Sequence, residues 1–308
     1  MASILITGSG GMLGSAVLEK LLGSDYQVLH PRRSELDLRD YDSVGKYMEK
    51  YRPDAIVHSA ALVGGIQMNI DSKSILLTEN VQIDYNLISF AAKFRTSKFI
   101  YIASSCMYPA NLGRPLLEDD LLGGSIEPTN YYYGLSKIIG TELIASFREQ
   151  LGLNWTSIIA SNLYGPNDDF SPIRAHLVAA IIQKIINAKA SGQEEIDVWG
   201  DGTARREFTF STDLADWIVK IVLNDIYLPA RVNAGYGKDF SVREWYEIVC
   251  HLLEYDGQLK FDLSKPNGNQ NKLLDSSLAR SFGWNPQTSP EVGLQKTIDW
   301  YSNRKNNA

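Results

Sequence analysis

The 308-residue sequence predicts an α/β protein with a Rossmann-type, doubly wound parallel sheet and a smaller, interleaved C-terminal substrate lobe. Three observations lead to this prediction. A glycine-rich turn opens the chain between an apolar strand and an apolar-periodic helix. Short apolar strands then alternate with helical patterns up to about residue 165, which is the spacing of a parallel sheet. Beyond that point the pattern changes, but no flexible linker separates an independent domain.

The first strand, predicted over Ser3–Thr7, leads into the glycine-rich turn. Glycines let the backbone turn tightly and approach a pyrophosphate, which the N-terminus of the following helix attracts. The turn therefore predicts a dinucleotide site, with a plain tight turn as the alternative. The residues expected to line this site are Gly8, Gly10, Gly11, Met12, Leu13 and Gly14.

The end of the second strand, predicted over residues 27–30, indicates which dinucleotide binds. An acidic residue there would bind the ribose 2′-hydroxyl of NAD. Here the chain carries Arg32 and Arg33 instead. Two cations suit a 2′-phosphate, so Arg33, with Arg32, favours NADP, and a solvated basic turn is the alternative. Asp37 and Leu38 come next, where a side chain can reach an adenine amine.

The third and fourth strands are predicted over residues 54–58 and 99–103. Small residues follow the third strand and allow a cofactor to approach the backbone. His58 lies within that strand, and we interpret it as structural. Open α/β sheets bind ligands at the carboxyl ends of their strands, so chemistry is expected where the fourth strand ends. The residues given roles at these two strand ends are Ala60, Ala61, Ser104 and Cys106.

Tyr133 and Lys137 stand four residues apart at the start of a predicted helix, so both side chains project from one face. A lysine ammonium beside a phenol favours the phenolate and lowers its pKa, which suits proton transfer at a carbonyl or hydroxyl. With 16 tyrosines in the chain, this spacing also arises by chance, as at Tyr301 and Lys305 in the polar tail. The position of the first pair beyond a glycine-turn sheet, with Ser104 ahead of it, favours catalysis there.

These features together resemble the GDP-L-fucose synthase family, a branch of the extended short-chain dehydrogenases/reductases that act on nucleotide sugars. The matching segments run in order over nearly the whole chain. Besides the glycine turn, Ser104 and the Tyr133/Lys137 pair, they are residues 60–66, 104–109, 127–130, 162–166, 198–202, 206–208 and 265–268.

The resemblance implies a bifunctional, NADPH-dependent 3,5-epimerase/4-reductase that converts GDP-4-keto-6-deoxy-D-mannose to GDP-L-fucose. Cys106 matches the family's base and His176 its acid for inverting C3 and C5, whose protons the C4 ketone acidifies. Tyr133 then protonates the C4 oxygen, Ser104 hydrogen-bonds the same oxygen, and Lys137 holds the nicotinamide ribose and tunes the tyrosine. Arg206 matches a pyrophosphate contact. The implied substrate contacts are Asn162, His176, Trp199, Arg206 and Lys265.

The chain departs from the family pattern at several positions, among them Asn267, where the family has Asp. Ser9-Gly10 replaces an Arg that often lies in the glycine turn, Asp169 replaces an Asn, and Asn271 replaces an Arg. The last change weakens a phosphate or sugar contact. A related reductase or epimerase acting on another GDP-4-keto-deoxy sugar therefore stays open as an alternative. A non-catalytic, cofactor-sensing Rossmann protein is the alternative from a different class, although such proteins commonly lose the Tyr/Lys pair.

The predicted NADP-binding domain comprises residues 1–165 and about 209–237, and the predicted substrate lobe comprises 166–208 and 238–308. Within that lobe a helix predicted over residues 174–188 carries His176. Two long helical patterns, at about 72–94 and 130–150, resemble those through which family members pair, so a homodimer is expected.

The composition of the chain argues against nucleic acid and membrane as partners and indicates a compartment. The net charge of −6 gives a nucleic-acid role no electrostatic support. No uncharged apolar run approaches the ~18 residues of a membrane span. Two cysteines fit a reducing compartment, and we expect a cytoplasmic protein without a metal site.

Overall fold

The structure is a computed structural model that describes residues 1–171, 174–264 and 272–306. At its centre lies a six-stranded sheet in which every neighbouring pair is parallel. Across the sheet the strands are β2 (Gln27–Leu29), β1 (Ser3–Thr7), β3 (Ala55–His58), β4 (Lys98–Ser104), β5 (Asn154–Ala160) and β10 (Arg231–Ala234). The order reverses at β1, so the crevice beside that strand is where such a sheet binds a ligand. The predicted doubly wound parallel sheet is confirmed.

Helices cover both faces of the sheet because alternate strand residues point to opposite sides. Ile4 and Ile6 pack in one apolar cluster, whereas Leu5 between them packs in the other. The helices on the Ile4 face are α1 (Met12–Leu21), α7 (Ser211–Leu223) and α9 (Ser277–Ser281). Those on the Leu5 face are α2 (Tyr41–Tyr51), α4 (Lys73–Lys93), which follows the short α3 (Ile66–Asp71), and α5 (Tyr131–Leu151).

A third apolar cluster, centred on the fully buried Trp245, belongs to the second half of the chain. Its helices are α6 (Leu177–Ser191), α8 (Val242–Leu252) and α10 (Pro290–Asn306). Three strand pairs accompany them: β6 (Asn162–Tyr164) with β9 (Phe208–Phe210), β7 (Glu195–Trp199) with β12 (Gln258–Asp262), and β8 (Arg205–Arg206) with β11 (Phe240–Ser241).

The division into two lobes remains a proposal at its boundaries. Ala279 and Trp284, which the predicted division assigns to the substrate lobe, pack on the sheet beside Trp217. Among the described residues, no helix is both long and apolar enough to span a membrane.

Two local differences from the predicted elements bear on the site. The helix expected over residues 174–188 begins only at Leu177, so His176 occupies its N-cap position in an extended conformation. Helix α2 was not singled out in the sequence. Its start has a recognisable signal, since the Asp40 carboxylate accepts a hydrogen bond from the backbone N–H of Ser43.

Candidate active site

The glycine-rich turn lies where β1 meets α1, at the reversal point of the sheet. Gly8 has φ +71°, and a Cβ there would lie 2.8 Å from the backbone nitrogen of Ala60. Gly14 brings α1 against the turn, since its Cβ would meet the Gly8 carbonyl oxygen. A Cβ at Gly10 would instead point into open space, and the N-cap of α1, Gly11, offers no side-chain cap. Free space beside uncapped N–H groups is what a dinucleotide pyrophosphate requires.

The segment after β2 contains a charged cluster that the sequence analysis only partly anticipated. The Arg39 guanidinium donates to both oxygens of Asp37, at 2.9 and 2.6 Å, and also pairs with Glu79 at 3.2 Å. These hydrogen bonds from Arg39 lower the Asp37 pKa to about 2. Arg33 is 68% exposed, with its Nε 3.9 Å from Asp37. The buried Leu38 is fixed through its carbonyl oxygen, which accepts from Asn86 at 2.9 Å. Asp37 is therefore held in place, while Arg33 is free to reach a phosphate.

Ser104, Cys106 and Tyr133 meet at the carboxyl end of β4. The hydroxyls of Ser104 and Tyr133 are hydrogen-bonded, and the Ser104 Oγ also accepts from the Cys106 backbone N–H at 3.2 Å. Helix α5 approaches this turn closely because residue 134 is glycine. A Cβ on Gly134 would lie 2.6 Å from the Cys106 carbonyl oxygen. The structure thus assembles three of the five predicted catalytic side chains around one point.

The expected lowering of the Tyr133 pKa by Lys137 is wrong for this structure. Burial, together with the neighbouring Cys106 and Asp84, raises the Tyr133 pKa well above its usual value, against an opposing hydrogen bond from Ser104. The Lys137 ammonium donates to the Ile102 carbonyl oxygen at 3.2 Å instead. Its own pKa is lowered by burial, with Asp84 acting in the opposite direction. Tyr133 is therefore a protonated phenol at neutral pH.

A cation that the sequence analysis did not assign lies against the predicted base. The Lys272 ammonium donates to the Cys106 Sγ at 3.2 Å. Lys272 is part of the family-like segment that follows residues 265–268, so a signal for it was present. Arg206 lies in the same region: burial lowers its pKa, and Glu127 and Cys106 oppose that shift. The thiol therefore faces two cationic side chains from the second half of the chain.

His176 is brought in by the turn that precedes α6. That turn packs against the loop after β3, since a Cβ on Gly65 would lie 2.7 Å from the Ala175 carbonyl oxygen. The Asn69 side chain donates to the carbonyl oxygens of Gly64 and Gly65, both at 3.0 Å, and fixes the loop. Burial lowers the His176 pKa, while the nearby Asp169 acts to raise it. Asp169, one of the departures from the family pattern, thus acts on the predicted acid.

Glu207, which the sequence analysis passed over, connects the predicted substrate contacts. Its buried carboxylate accepts from the backbone N–H groups of Gly237 and Leu274, at 2.6 and 3.0 Å. Its carbonyl oxygen accepts from the Asn162 side chain at 3.2 Å. Burial raises the Glu207 pKa to about 7. Because Leu274 lies two residues beyond Lys272, Glu207 helps to fix the segment that reaches Cys106.

Two of the predicted substrate contacts remain to be placed. Trp199 is 56% exposed at the end of β7. Lys265 lies outside the described residues.

Known proteins of similar sequence match nearly the whole chain. The profile of the NAD dependent epimerase/dehydratase family matches residues 4–235. A GDP-L-colitose synthase from Yersinia pseudotuberculosis is 38% identical over 305 residues, covering 99% of both chains. A GDP-L-fucose synthase from Azorhizobium caulinodans is 38% identical over 298 residues, covering 97% of this chain and 96% of its own.

Among solved structures, a GDP-mannoheptose C4 reductase from Campylobacter jejuni with NADP bound is similar. It superposes with a TM-score of 0.88 and 28% identity over 98% of both chains. The chain belongs to the NAD-dependent epimerase/dehydratase family, in the branch that contains the GDP-L-fucose and GDP-L-colitose synthases.

Proposed function

We propose that this protein is an NADPH-dependent, bifunctional 3,5-epimerase/4-reductase that converts GDP-4-keto-6-deoxy-D-mannose to GDP-L-fucose. The observation that carries the proposal is the meeting of the Ser104–Tyr133 pair with the Cys106 thiol at one strand end. A reductase alone needs the first two groups, whereas a thiol facing the same point supplies a base for the carbons beside the ketone. Full-length similarity to a GDP-L-fucose synthase supports the substrate.

In the epimerisation, the C4 ketone acidifies the protons on C3 and C5, so a base removes each proton to form an enediolate. Cys106 is the base, and the Lys272 ammonium donates a hydrogen bond to its Sγ at 3.2 Å. His176 returns a proton to the opposite face of the carbon. Burial lowers the His176 pKa, and the nearby Asp169 acts against that shift.

In the reduction, the developing C4 alkoxide needs a proton and a hydrogen-bond donor. Tyr133, a phenol with a raised pKa, holds its proton until the alkoxide forms and then donates it. Ser104 donates a hydrogen bond to the same oxygen. When bound, NADPH supplies the hydride to C4.

Substrate and cofactor phosphates require cations. Arg206 offers a planar fork to the GDP pyrophosphate, with Asn162, Trp199 and Lys265 as further contacts. Arg33 and Arg32 give the preference for NADP over NAD. The space beside Gly10 and the N–H groups at the start of α1 accommodate the dinucleotide.

A second candidate is a reductase or epimerase that acts on another GDP-4-keto-deoxy sugar. It is favoured by the equal 38% identity to a GDP-L-colitose synthase and by the structural similarity to a mannoheptose C4 reductase. The departures at Asp169 and Asn271 lie in segments that contact substrate in the family.

The deciding experiment incubates the protein with NADPH and GDP-4-keto-6-deoxy-D-mannose in D₂O and resolves the product by NMR. Inversion by proton removal introduces solvent deuterium at C3 and C5, whereas reduction alone introduces none at carbon. We expect GDP-L-fucose labelled at both carbons. GDP-rhamnose without label, or no turnover, would contradict the proposal. Labelling at C5 alone would favour the second candidate.

We also propose that the protein works as a homodimer in the cytoplasm. Support for pairing through α4 and α5 comes from exposed apolar side chains on these helices, Ile75, Tyr85, Tyr131 and Tyr132. Both cysteines are free thiols, as suits a reducing compartment. Light scattering after size exclusion, on wild type and on a Tyr85→Glu variant, tests the dimer. A monomeric wild type would contradict it.

A further inference from the structure

A buried polar cluster lies beneath the candidate active site and uses side chains from four elements. His58 of β3, Asp84 of α4, Tyr101 of β4 and Lys137 of α5 are 1%, 0%, 0% and 3% exposed. Buried ionisable groups are costly unless they are paired. A cluster of this kind beside a reacting centre therefore calls for an explanation beyond packing.

The hydrogen bonds of the cluster form a directed chain. Tyr101 donates to the Asp84 Oδ2 at 2.5 Å, and the His58 Nε2 lies 3.0 Å from the Asp84 Oδ1. Because Asp84 accepts at both oxygens, His58 carries its proton on Nε2, and its Nδ1 accepts from Thr7 at 2.6 Å. Thr7 in turn accepts from the Ala60 backbone N–H at 3.4 Å. The series of hydrogen bonds therefore begins at the Ala60 backbone N–H, beside the glycine-rich turn. It ends at the Asp84 carboxylate, which accepts at both oxygens.

Lys137 lies over the ring of Tyr101, the residue whose hydroxyl donates to this carboxylate. Its ammonium is 4.6 Å from the ring centroid, and the Tyr101 hydroxyl donates to Asp84. A phenol that donates to a carboxylate has a more electron-rich ring, which strengthens the cation–π contact. Helix α5 comes this close because residue 140 is glycine: a Cβ there would lie 2.7 Å from the Asp84 Oδ2.

The charges follow from these contacts. Burial by itself raises the Asp84 pKa, but Lys137, His58 and Tyr101 outweigh it, so the net shift is downward and Asp84 is ionised. Burial lowers the Lys137 pKa, and Asp84 is the group that opposes this loss of charge. Burial lowers the His58 pKa, so the imidazole is neutral. The titratable groups around Lys137 are thus neutral His58, neutral Tyr101, neutral Tyr133 and the Asp84 anion.

We propose that Asp84 is a positioning residue of the reductase site: its carboxylate, anchored by His58 and Tyr101, keeps Lys137 protonated and aligned beside Tyr133. The assignment rests on the proposed function in that Lys137 holds the nicotinamide ribose and must be a cation to assist Tyr133. His58, interpreted from the sequence as structural, then orients the carboxylate that sets the charge of the site.

The first test measures Lys137 without cofactor or substrate. Protein labelled with ¹³C at the lysine Cε is titrated by NMR, and the Lys137 signal is assigned by its loss in Lys137→Met. Asp84→Asn keeps the size of the side chain and removes its charge. Removing a neighbouring anion lowers the pKa of a cation, so the Lys137 midpoint is expected to fall by about 1–3 pH units.

The matched control is Asp213→Asn on α7, across the sheet. It removes a carboxylate that accepts from Gln287 and Thr288 but lies away from Lys137. Its Lys137 midpoint is expected to equal that of the wild type. A folded Asp84→Asn protein with a wild-type midpoint overturns the proposal.

The second test uses Tyr101→Phe, which keeps the ring beneath Lys137 but removes the hydrogen bond to Asp84. The alkaline limb of kcat/KM for keto-sugar reduction is expected to move to lower pH in Tyr101→Phe and further in Asp84→Asn. If Asp84→Asn does not fold, the test rests on Tyr101→Phe alone. A Lys137 titration midpoint and an alkaline limb of kcat/KM that are both unchanged in Tyr101→Phe then overturn the proposal. A shifted midpoint in a protein that reduces no keto sugar supports the Asp84 assignment and contradicts the proposed function.

Discussion

The two lobes contribute to the candidate site in contrasting ways. On the sheet side, Ser104 and Tyr133 are hydrogen-bonded to each other and Lys137 is only 3% exposed. On the other side, Trp199 is 56% exposed and His176 stands at a helix N-cap. The proposed reducing centre is thus formed in advance by packing on the sheet, whereas the proposed sugar contacts come from side chains of the second half of the chain. Tyr133 and Cys106 both lie on the sheet side, and substitutions at these two positions should separate reduction from epimerisation.

The largest effect is expected from Tyr133→Phe. General acid catalysis contributes about 10²- to 10⁴-fold, so reduction should fall by that factor, while deuterium exchange at C3 and C5 continues. NADPH oxidation and NMR measure the two steps. Tyr301→Phe is the matched control, because Tyr301 has the same spacing to a lysine but its ring stacks on Phe170, 4.1 Å away. Unchanged NADPH oxidation in Tyr133→Phe would contradict the assignment of Tyr133 as the proton donor.

The reverse separation is expected from Cys106→Ser. A serine hydroxyl is a poor base at neutral pH, so exchange at C3 and C5 should fall by roughly 10²-fold or more. Reduction of a ketone that is already epimerised should fall much less. Cys250→Ser, which changes the other free thiol, is the control. Equal losses in both steps would contradict the assignment of Cys106 as the base.

A smaller effect is expected within the glycine-rich turn, where folding and binding can be separated. Gly8→Ala forces a side chain into φ +71° and against Ala60, which should cost about 1–3 kcal/mol of stability. Gly10→Ala meets no neighbour, so its Tm should match the wild type while NADPH affinity falls. Thermal unfolding and calorimetric titration with NADPH measure the two. If Gly10→Ala binds NADPH with wild-type affinity, the pyrophosphate does not bind beside Gly10.

The last prediction concerns the stability contributed by Glu207, whose carboxylate accepts from Gly237 and Leu274. Its pKa rises from 4.5 to about 7 in the folded protein, so the folded state binds more protons than the unfolded state between these values. Stability from this group is therefore present below pH 4.5 and is lost as pH rises through about 7. The loss is at most about 3 kcal/mol.

Glu207→Gln removes this titration, so the stability difference between wild type and variant should shift in favour of the variant from pH 5 to pH 8. Urea unfolding at several pH values measures it. A difference that does not vary with pH would show that the carboxylate is ionised throughout.

Much of the sheet side could be predicted because its signals are local. Five consecutive buried residues form β1, glycines follow at once, and Tyr133 and Lys137 share a helix face. The second lobe was harder to predict. Its strands pair across long separations, and His176 lies one residue before a helix rather than within it. The sequence motif could mark Tyr133 but could not distinguish its spacing from that of Tyr301.

The sequence by itself determined the doubly wound sheet and the glycine-rich turn, and it marked the candidate residues for the chemistry, because periodicity and turn chemistry act over a few residues. Tertiary structure alone decided their protonation and partners. Lys272 meets Cys106 across 166 positions of sequence, and burial reverses the expected shift of the Tyr133 pKa. Such effects depend on which distant groups share a low-dielectric site, and local sequence patterns carry no record of that.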